Sequence, residues 1–132
     1  MKLHGRKIFS GIAEGEALVS MLGMSFFGGV DPETGVVVER GHDLEGQCIA
    51  GKVLVFPTGK GSTVGSYTLY RLKYAGLAPA AIVNAECETI TAVGCIIAEI
   101  PCVDHIPIGL LATGMRLLVD GERAYIEIGE SE

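Results

Sequence analysis

The spacing of apolar residues predicts short strands in the first part of the chain. β-prone runs lie at residues 6–10, 14–20 and 35–38. Glycines separate these runs, and residues 31–35 form an Asp-Pro turn in which proline presets φ and Gly35 tolerates positive values. The alternation of strands with tight turns indicates a β-rich first half.

Continuous apolar runs in the second part indicate strands that are covered on both faces. They lie at residues 52–56, 79–83 and 102–103. Residues 62–75 and 88–100, which lie between these runs, have helical spacing. The order strand–helix–strand–helix–strand predicts two right-handed βαβ units and hence a parallel sheet. With a closing hairpin about Asp120-Gly121, the predicted fold class is α/β, in a single domain over residues 1–132.

Each predicted helix has one face that we expect to be buried. In the first helix that face consists of Val64, Thr68, Leu72 and Ala75. In the second helix it consists of Ile90, Val93, Ile97 and Ile100. Gly76 and Pro101 mark the helix ends, because glycine accepts the left-handed conformation and proline cannot continue a helix.

The carboxyl ends of the three predicted parallel strands are followed by polar residues. In such sheets a ligand binds beyond these ends. The turn at residues 57–66, Asn84 and the pair Asp104-His105 should therefore converge on one edge, provided that the three strands are neighbours. The sequence predicts a binding site at this edge.

The turn at residues 57–66 has the composition of an anion-binding site. Gly59 and Gly61 allow a sharp turn and the close approach of a ligand, since they lack a Cβ. Ser62 or Thr63 is placed to cap the following helix, whose first N–H groups and dipole favour a negative charge. Lys60 adds a cation. A carboxylate or a phosphate suits this turn.

The residues exclude two nucleotide-binding interpretations of the same turn. A P-loop requires G-x-x-x-x-G-K-[ST], but Gly61 follows Lys60, and Leu54 stands where the first glycine is needed. The G-x-G-x-x-G spacing of a dinucleotide-binding fold is also absent from this strand–helix turn. Whether Ser62 does more than cap the helix stays open at this point.

Composition and charge restrict the class of protein. With 48% hydrophobic and 20% charged residues, a chain of 132 residues can bury a core of its own. The net charge of −6 repels phosphate backbones, so nucleic acid is not an expected partner. The longest apolar run, residues 92–98, is too short to span a membrane, and the first residues show no signal-peptide pattern. We therefore expect a cytoplasmic protein.

The cysteines and histidines do not predict a metal site. The cysteines are Cys48, Cys87, Cys95 and Cys102. They include no C-x-x-C pair, and a reducing cytosol keeps thiols free. Cys95 and Cys102 lie in apolar surroundings that favour burial. His42 and His105 have no histidine partner at helical spacing, so we expect no metal on this chain.

Two further segments have roles that the pattern leaves open. Phe26 and Phe27 precede a glycine pair, and they form either a buried strand end or a contact with a ligand or partner. Glu86 and Glu88 lie at a predicted helix start, where acidic side chains stabilise the helix dipole, and we expect them to be solvated.

Three segments together resemble a known family. They are Ser25-Phe26-Phe27-Gly28-Gly29-Val30-Asp31, Gly59-Lys60-Gly61-Ser62-Thr63-Val64-Gly65-Ser66 and Ala80-Ala81-Ile82-Val83-Asn84. In this order they resemble the small-subunit family of aconitase-X-type dehydratases. The resemblance extends from about Arg6 to Ile128, and the second segment is its most specific part.

The resemblance implies a fold, a partner and a reaction. The fold is a swivelling β/β/α domain, equivalent to the mobile domain of aconitase. The partner is a large catalytic subunit, which forms a heterodimer with this chain and holds a [4Fe-4S] cluster through its own cysteines. The branch with separate subunits, which this chain resembles most, removes water from (R)-5-phosphomevalonate, a phosphorylated hydroxy acid. The product is trans-anhydromevalonate 5-phosphate, on a route to isoprenoids.

The resemblance also implies roles within the turn. The family's proton acceptor is the serine of this motif, which corresponds to Ser62, and we expect Lys60, Gly61 and Thr63 to bind the substrate. A serine suits the reaction because the proton lies beside a carboxylate on a weak carbon acid, and an alkoxide has a matching high pKa. N–H groups at the helix start stabilise that alkoxide.

Two alternatives to this function stay open. An aconitase-X-type dehydratase could act on another hydroxy acid, for instance a hydroxyproline. The turn could also bind a small anion in a module that has no catalytic role. The substrate that a reconstituted complex dehydrates tests the first alternative, and tight binding of a phosphate ligand by the chain alone would favour the second.

Overall fold

The computed structural model describes residues 1–129. The strands are β1 (Lys2–His4), β2 (Arg6–Phe9), β3 (Ile12–Val19), β4 (Val53–Phe56), β5 (Ala81–Asn84), β6 (Cys102–Asp104), β7 (Arg116–Asp120) and β8 (Tyr125–Ile128). The helices are α1 (Val64–Tyr74) and α2 (Thr89–Ala98), and a short 3-10 helix covers Ile108–Leu110. The order β4-α1-β5-α2-β6 confirms the two predicted βαβ units. Within residues 1–129, neither α-helix has the length and hydropathy that a membrane span requires.

The strands pair in the order β1-β8-β7-β3-β4-β5-β6-β2. β3 belongs to two sheets, because its first part pairs antiparallel with β7 and its last residues pair parallel with β4. β4, β5 and β6 are parallel neighbours, which is the condition for the predicted binding edge. The outermost strands, β1 and β2, are consecutive in the sequence, and only Gly5 separates them.

Alternation of side chains along the central strands produces two cores. Val53 and Val55 of β4 pack in one core, whereas Leu54 and Phe56 of the same strand pack in the other. The first core also contains Leu117 of β7 and Ile126 of β8, and the second contains Leu69 and Leu72 of α1 and Cys95 of α2. Because each core joins the central strands to one further layer, the architecture is β/β/α, and the predicted α/β fold class is confirmed.

The strand predicted at residues 35–38 is not formed. Val36 and Val37 make only isolated bridges. Gly35 has a φ of 77°, which is incompatible with an extended strand. The Asp-Pro turn that precedes this segment is confirmed, because the Gly35 N–H donates to the Asp31 carbonyl at 2.8 Å.

The predicted buried faces of α1 and α2 are each partly right. Thr68 and Leu72 of α1 are buried, but Val64 is 43% exposed. Of the face predicted for α2, Ile100 is buried and Ile90 is half-buried, but Val93 and Ile97 are 41% and 39% exposed. The residues of α2 that are buried are Thr91, Gly94, Cys95 and Ala98.

Small residues of α2 are buried because they let the two helices pack closely. A Cβ at Gly94 would lie 3.3 Å from both the Leu69 Cβ and the Ser66 Cα of α1. The Ser66 Oγ donates to the Ile90 carbonyl at 2.6 Å and ties the helices together. Close packing on this small face leaves the larger residues of α2 on the outer surface.

Candidate active site

The loop of residues 57–63 connects β4 to α1 at the carboxyl edge of the central sheet. On one side, the Pro57 carbonyl accepts hydrogen bonds at 3.1 and 3.0 Å from two N–H groups that follow β5. On the other side, the Met24 N–H donates to the Thr58 carbonyl at 3.1 Å, and the Lys60 N–H donates to the Met24 carbonyl at 2.9 Å. Two neighbouring segments therefore fix the loop backbone.

Gly59 packs directly on the amino-terminal end of α2. A Cβ added at Gly59 would overlap the Glu88 carboxylate and the Thr91 Oγ1. Glu88 is the N-cap of α2, and its carboxylate accepts hydrogen bonds from the Ile90 and Thr91 N–H groups at 2.7 Å each. Glu88 therefore lies at a helix start as predicted, but it is half-buried beneath the loop and not fully solvated.

Replacement of Gly59 by alanine is expected to lower the free energy of unfolding by about 1–3 kcal/mol, because either the loop or Glu88 must move. Urea denaturation of the isolated chain measures this change. Gly109→Ala is the matched control, since a Cβ at Gly109 meets nothing within 4 Å. Equal midpoints for the two variants would contradict the packing of Gly59 on α2.

Gly61 turns the loop toward α1 with a φ of 96°, a value that strains any residue with a Cβ. A Cβ at Gly61 would also lie 2.7 Å from the Ser25 Oγ. Lys60 supplies the predicted cation, but its Nζ lies 2.9 Å from the Glu39 Oε2. Glu39 therefore compensates part of the positive charge, and an anion at this loop depends more on backbone N–H groups than on Lys60.

Ser62 is exposed at the end of this loop, immediately before α1. Its Oγ accepts a hydrogen bond from the Val64 N–H at 3.1 Å. Thr63 occupies the N-cap position, but its side chain makes no capping hydrogen bond. Of the two predicted caps, Ser62 is the one whose hydroxyl bonds the start of the helix. The helix itself begins at Val64, later than predicted.

Backbone N–H groups around Ser62 are available to an anion. Within residues 1–129, the N–H groups of Gly61, Ser62 and Thr63 donate no hydrogen bond. They lie beside the positive end of the α1 dipole. Successive N–H groups of this kind form a site for a carboxylate or a phosphate. The predicted site residues Lys60, Gly61, Ser62 and Thr63 are thus together on one exposed loop.

Asn84 and Asp104 lie at the predicted edge, but their side chains are buried and fix neighbouring backbone. The Asn84 Nδ2 donates to the Phe56 carbonyl at 3.0 Å, and its Oδ1 has no hydrogen-bond partner in the described part of the chain. The Asp104 carboxylate accepts two hydrogen bonds from Arg6, at 3.0 and 2.7 Å, and one from the Cys87 N–H at 2.8 Å. The predicted convergence of strands is correct, yet these two side chains do not line the exposed loop.

Arg6 controls the ionisation of Asp104. Burial by itself would raise the pKa of Asp104, but the hydrogen bonds from Arg6 and from the Cys87 N–H outweigh it and lower the pKa below its usual range. Asp104 is therefore ionised at neutral pH and already paired, which makes it a structural anion and not an acid or base.

Glu86, Asp104 and His105 are close enough to share a cation, since one ligand atom from each lies within 4.8 Å of the others. The Asp104 Oδ2 already accepts hydrogen bonds from Arg6 and Cys87, and the His105 Nε2 lies 3.2 Å from the Glu86 Oε2. These contacts place His105 and Glu86 next to the Arg6–Asp104 ion pair. We assign no metal to the group.

The cysteines of residues 1–129 do not fit the iron–sulfur cluster that the family implies. Cys87, Cys95 and Cys102 are buried among apolar side chains, and Cys48 is exposed. Interaction with the Cys102 thiol, together with burial, raises the pKa of Cys87 well above its usual range. Cluster iron is held by several cysteine thiolates, whereas the thiols of Cys87, Cys95 and Cys102 are closely packed in the core and Cys48 stands alone on the surface. The predicted burial of Cys95 and Cys102 is confirmed.

The two phenylalanines before the glycine pair have different environments. Phe26 is 2% exposed and packs edge-to-face on Phe56, with ring centroids 5.9 Å apart, so it is a core residue. Phe27 is 54% exposed and lines a groove of about 430 Å³ together with Val64 and Tyr67. For Phe27, the environment favours the alternative of a contact with a ligand or partner.

Sequence reasoning did not identify three residues that position the loop, namely Ser25, Glu39 and Thr91. They contact Gly61, Lys60 and Gly59 respectively. Residues that meet only through the fold leave no signature in local spacing. Ser25 begins one of the segments that resemble the family, which is the one signal that the sequence offers.

Comparison with known proteins identifies the type of domain. The sequence profile of the aconitase X swivel domain matches residues 2–128. A phosphomevalonate dehydratase small subunit from Thermococcus kodakarensis is 56% identical over 130 residues, which cover 98% of this chain and 98% of that protein. A protein of the same name from Methanosarcina mazei is 56% identical over 131 residues, which cover 97% of this chain and 91% of that one. The family predicted from the sequence is confirmed.

The fold of this chain also matches a solved structure. The crystal structure of holo-form aconitase X from Thermococcus kodakaraensis has a TM-score of 0.97 and 55% identity to this chain. The superposition covers 98% of this chain and 99% of the other. The likeness therefore includes both sheets, both helices and the loop that carries Ser62.

Proposed function

Because the chain belongs to the aconitase X swivel-domain family, we propose that it is the small subunit of a phosphomevalonate dehydratase. This hydro-lyase removes water from (R)-5-phosphomevalonate and gives trans-anhydromevalonate 5-phosphate, a step toward isoprenoids. Relatives named for this activity are 56% identical over nearly the whole chain. The structural observation that carries the proposal is the exposed Ser62 hydroxyl beside unpaired N–H groups at the start of α1.

Ser62 is the proton acceptor in this proposal. A C–H bond beside the substrate carboxylate breaks, and its proton moves to the Ser62 Oγ. The electron pair of that bond forms the new C=C bond, while the C–O bond on the neighbouring carbon breaks and the hydroxyl group leaves as water. The carbon acid is very weak, so an alkoxide, with its high pKa, is the matching base. The Val64 N–H, 3.1 Å from the Oγ, and the α1 dipole stabilise the negative charge on that oxygen.

The groups around Ser62 bind the substrate. The N–H groups of Gly61 and Thr63 are available to carboxylate or phosphate oxygens, and the missing side chain at Gly61 lets the ligand come close. Lys60 adds a positive charge that Glu39 partly compensates. Anion binding is therefore the way in which this loop holds a phosphorylated hydroxy acid next to its base.

The remaining chemistry belongs to a large subunit, which completes a heterodimer with this chain. In this proposal that subunit holds the [4Fe-4S] cluster through its own cysteines, since the buried thiols of this chain do not fit one. The complex is cytoplasmic, a compartment in which free thiols such as Cys48 persist.

Reconstitution tests the proposal. The isolated chain is expected to be colourless and inactive, and to give dehydratase activity only after anaerobic assembly with the large subunit. Mass spectrometry of the product from (R)-5-phosphomevalonate measures the activity, with a hydroxyproline as the competing substrate. If the complex dehydrates only the hydroxyproline, phosphomevalonate is not its substrate. A stoichiometric cluster in the isolated chain would contradict the assignment of the cluster to the large subunit.

A further inference from the structure

The outer surface of the two helices contains apolar side chains that nothing in residues 1–129 covers. We define the Tyr67 surface as Phe27, Val64, Tyr67, Val93 and Ile97, which are all exposed. A groove of about 430 Å³ includes Phe27, Val64 and Tyr67, and a second groove of about 390 Å³ includes Tyr67, Val93 and Ile97. Tyr67, which is 69% exposed, is thus a ridge shared by two adjacent grooves.

Few charged side chains lie on this part of the helices. α2 contains none, and the charged residues of α1 are Arg71 and Lys73, in its last turn. Arg71 also lines the first groove, together with Asp31. The chain as a whole carries a net charge of −6. A helix that faces water normally has a charged outer face. The centres of protein interfaces, in contrast, are depleted of charge and enriched in tyrosine.

The orientation of α2 strengthens this contrast. The hydrophobic pattern of α2 predicts that Val93 and Ile97 are buried, yet the close packing of Gly94 on α1 turns them outward. An exposed apolar area that includes two grooves is characteristic of a binding surface. The fold therefore positions this area for contact with a second molecule.

We propose that the Tyr67 surface binds the large subunit of the dehydratase. The inference rests on the proposed function, in which Ser62 must reach a substrate shared with that subunit. Thr63, the residue after Ser62, lines the same groove as Tyr67 and Val93. A partner that closes over Ser62 therefore also covers the Tyr67 surface. Tyr67 lies between the two grooves and is the expected centre of the contact.

Charge substitutions test this surface in the reconstituted enzyme. Tyr67→Glu and Val93→Glu are each expected to raise the Kd for the large subunit by about 10–100-fold, because they bury an unpaired carboxylate. Titration calorimetry measures the Kd, and circular dichroism verifies that each variant is folded. Ile12→Glu is the matched control, since Ile12 is 68% exposed on β3 in the β7-paired sheet, away from the helices. Its Kd is expected to stay within about twofold of the wild-type value.

The possible outcomes separate this proposal from the proposed function. Wild-type affinity in both glutamate variants would contradict the binding of the large subunit at the Tyr67 surface and leave the proposed function intact. Equal weakening by Ile12→Glu would also overturn it. A dimer of the isolated chain that Tyr67→Glu abolishes would assign the surface to a second copy and overturn the proposal. A tight complex that the variants weaken but that dehydrates no hydroxy acid would support the surface and overturn the function.

Discussion

Replacement of Ser62 by alanine is expected to lower the kcat of the reconstituted complex by about 10²–10⁴-fold, the usual effect of removing a general base. The fold should persist, because alanine loses only the hydrogen bond from the Val64 N–H at 3.1 Å, which contributes about 1 kcal/mol. Substrate affinity should change little, since the backbone N–H groups stay in place. Steady-state kinetics and thermal denaturation of the same preparation measure these effects.

The neighbouring Thr63 provides the control for this prediction. It is exposed and makes no capping hydrogen bond, so Thr63→Ala should reduce kcat much less. Ser66 is unsuitable as a control, because it is buried and its Oγ donates to the Ile90 carbonyl at 2.6 Å. A near-normal kcat for a folded, partner-bound Ser62→Ala variant would reduce Ser62 to a helix cap.

Replacement of Asp104 by alanine is expected to have the largest effect on stability, a loss of about 2–3 kcal/mol in the free energy of unfolding. The substitution removes the acceptor of the buried Cys87 N–H and the partner of Arg6. Glu122→Ala is the matched control. Glu122 forms an exposed ion pair, at 3.3 Å, with Lys7, which lies next to Arg6 in β2. Exposed pairs contribute at most about 1 kcal/mol. Similar urea midpoints for the two variants would contradict the role of Asp104.

The same carboxylate should make stability depend on pH. Its pKa is lower in the folded state than in the unfolded chain, so the unfolded state takes up the proton first as the pH falls. The stabilisation is complete above the unfolded pKa of about 4 and is lost as the pH falls through the lower folded value. Urea denaturation between neutral and acidic pH should therefore show a smaller acid dependence in Asp104→Ala than in the wild type. Identical acid dependence would refute the lowered pKa.

The convergence of three strand ends at one edge could be predicted because it depends on local pattern and general topology. The apolar runs that end at Phe56 and Asn84 indicate parallel strands, and ligand sites lie beyond the ends of such strands. The role of Asp104 could not be predicted in the same way. Its partner Arg6 lies 98 residues away in the sequence, and only the antiparallel pairing of β2 with β6 brings the two together.

The faces of α2 show a different limit of sequence reasoning. Hydrophobic spacing assigns Val93 and Ile97 to the core because they are more apolar than Gly94 and Thr91. The short distance between α1 and α2 excludes them from the core. Gly94 is in contact with Leu69 and Ser66, and this face of α2 has no space for a larger side chain. Burial in the core is one reason for an apolar residue, and contact with a partner, as proposed for the Tyr67 surface, is another. Hydrophobic spacing in a single chain does not distinguish the two.

The position of the first two strands affects how the domain folds in time. β1 places Leu3 opposite Ile126 of β8, and β2 places Arg6 opposite Asp104 of β6. Both edges of the strand order thus depend on residues 2–9 meeting partners that are synthesised much later. Closing such long loops costs chain entropy before any contact forms, so these pairings are expected to be slow. During translation, β1 stays unpaired until β8 has left the ribosome. The large subunit can therefore bind the complete domain only after synthesis of this chain has ended.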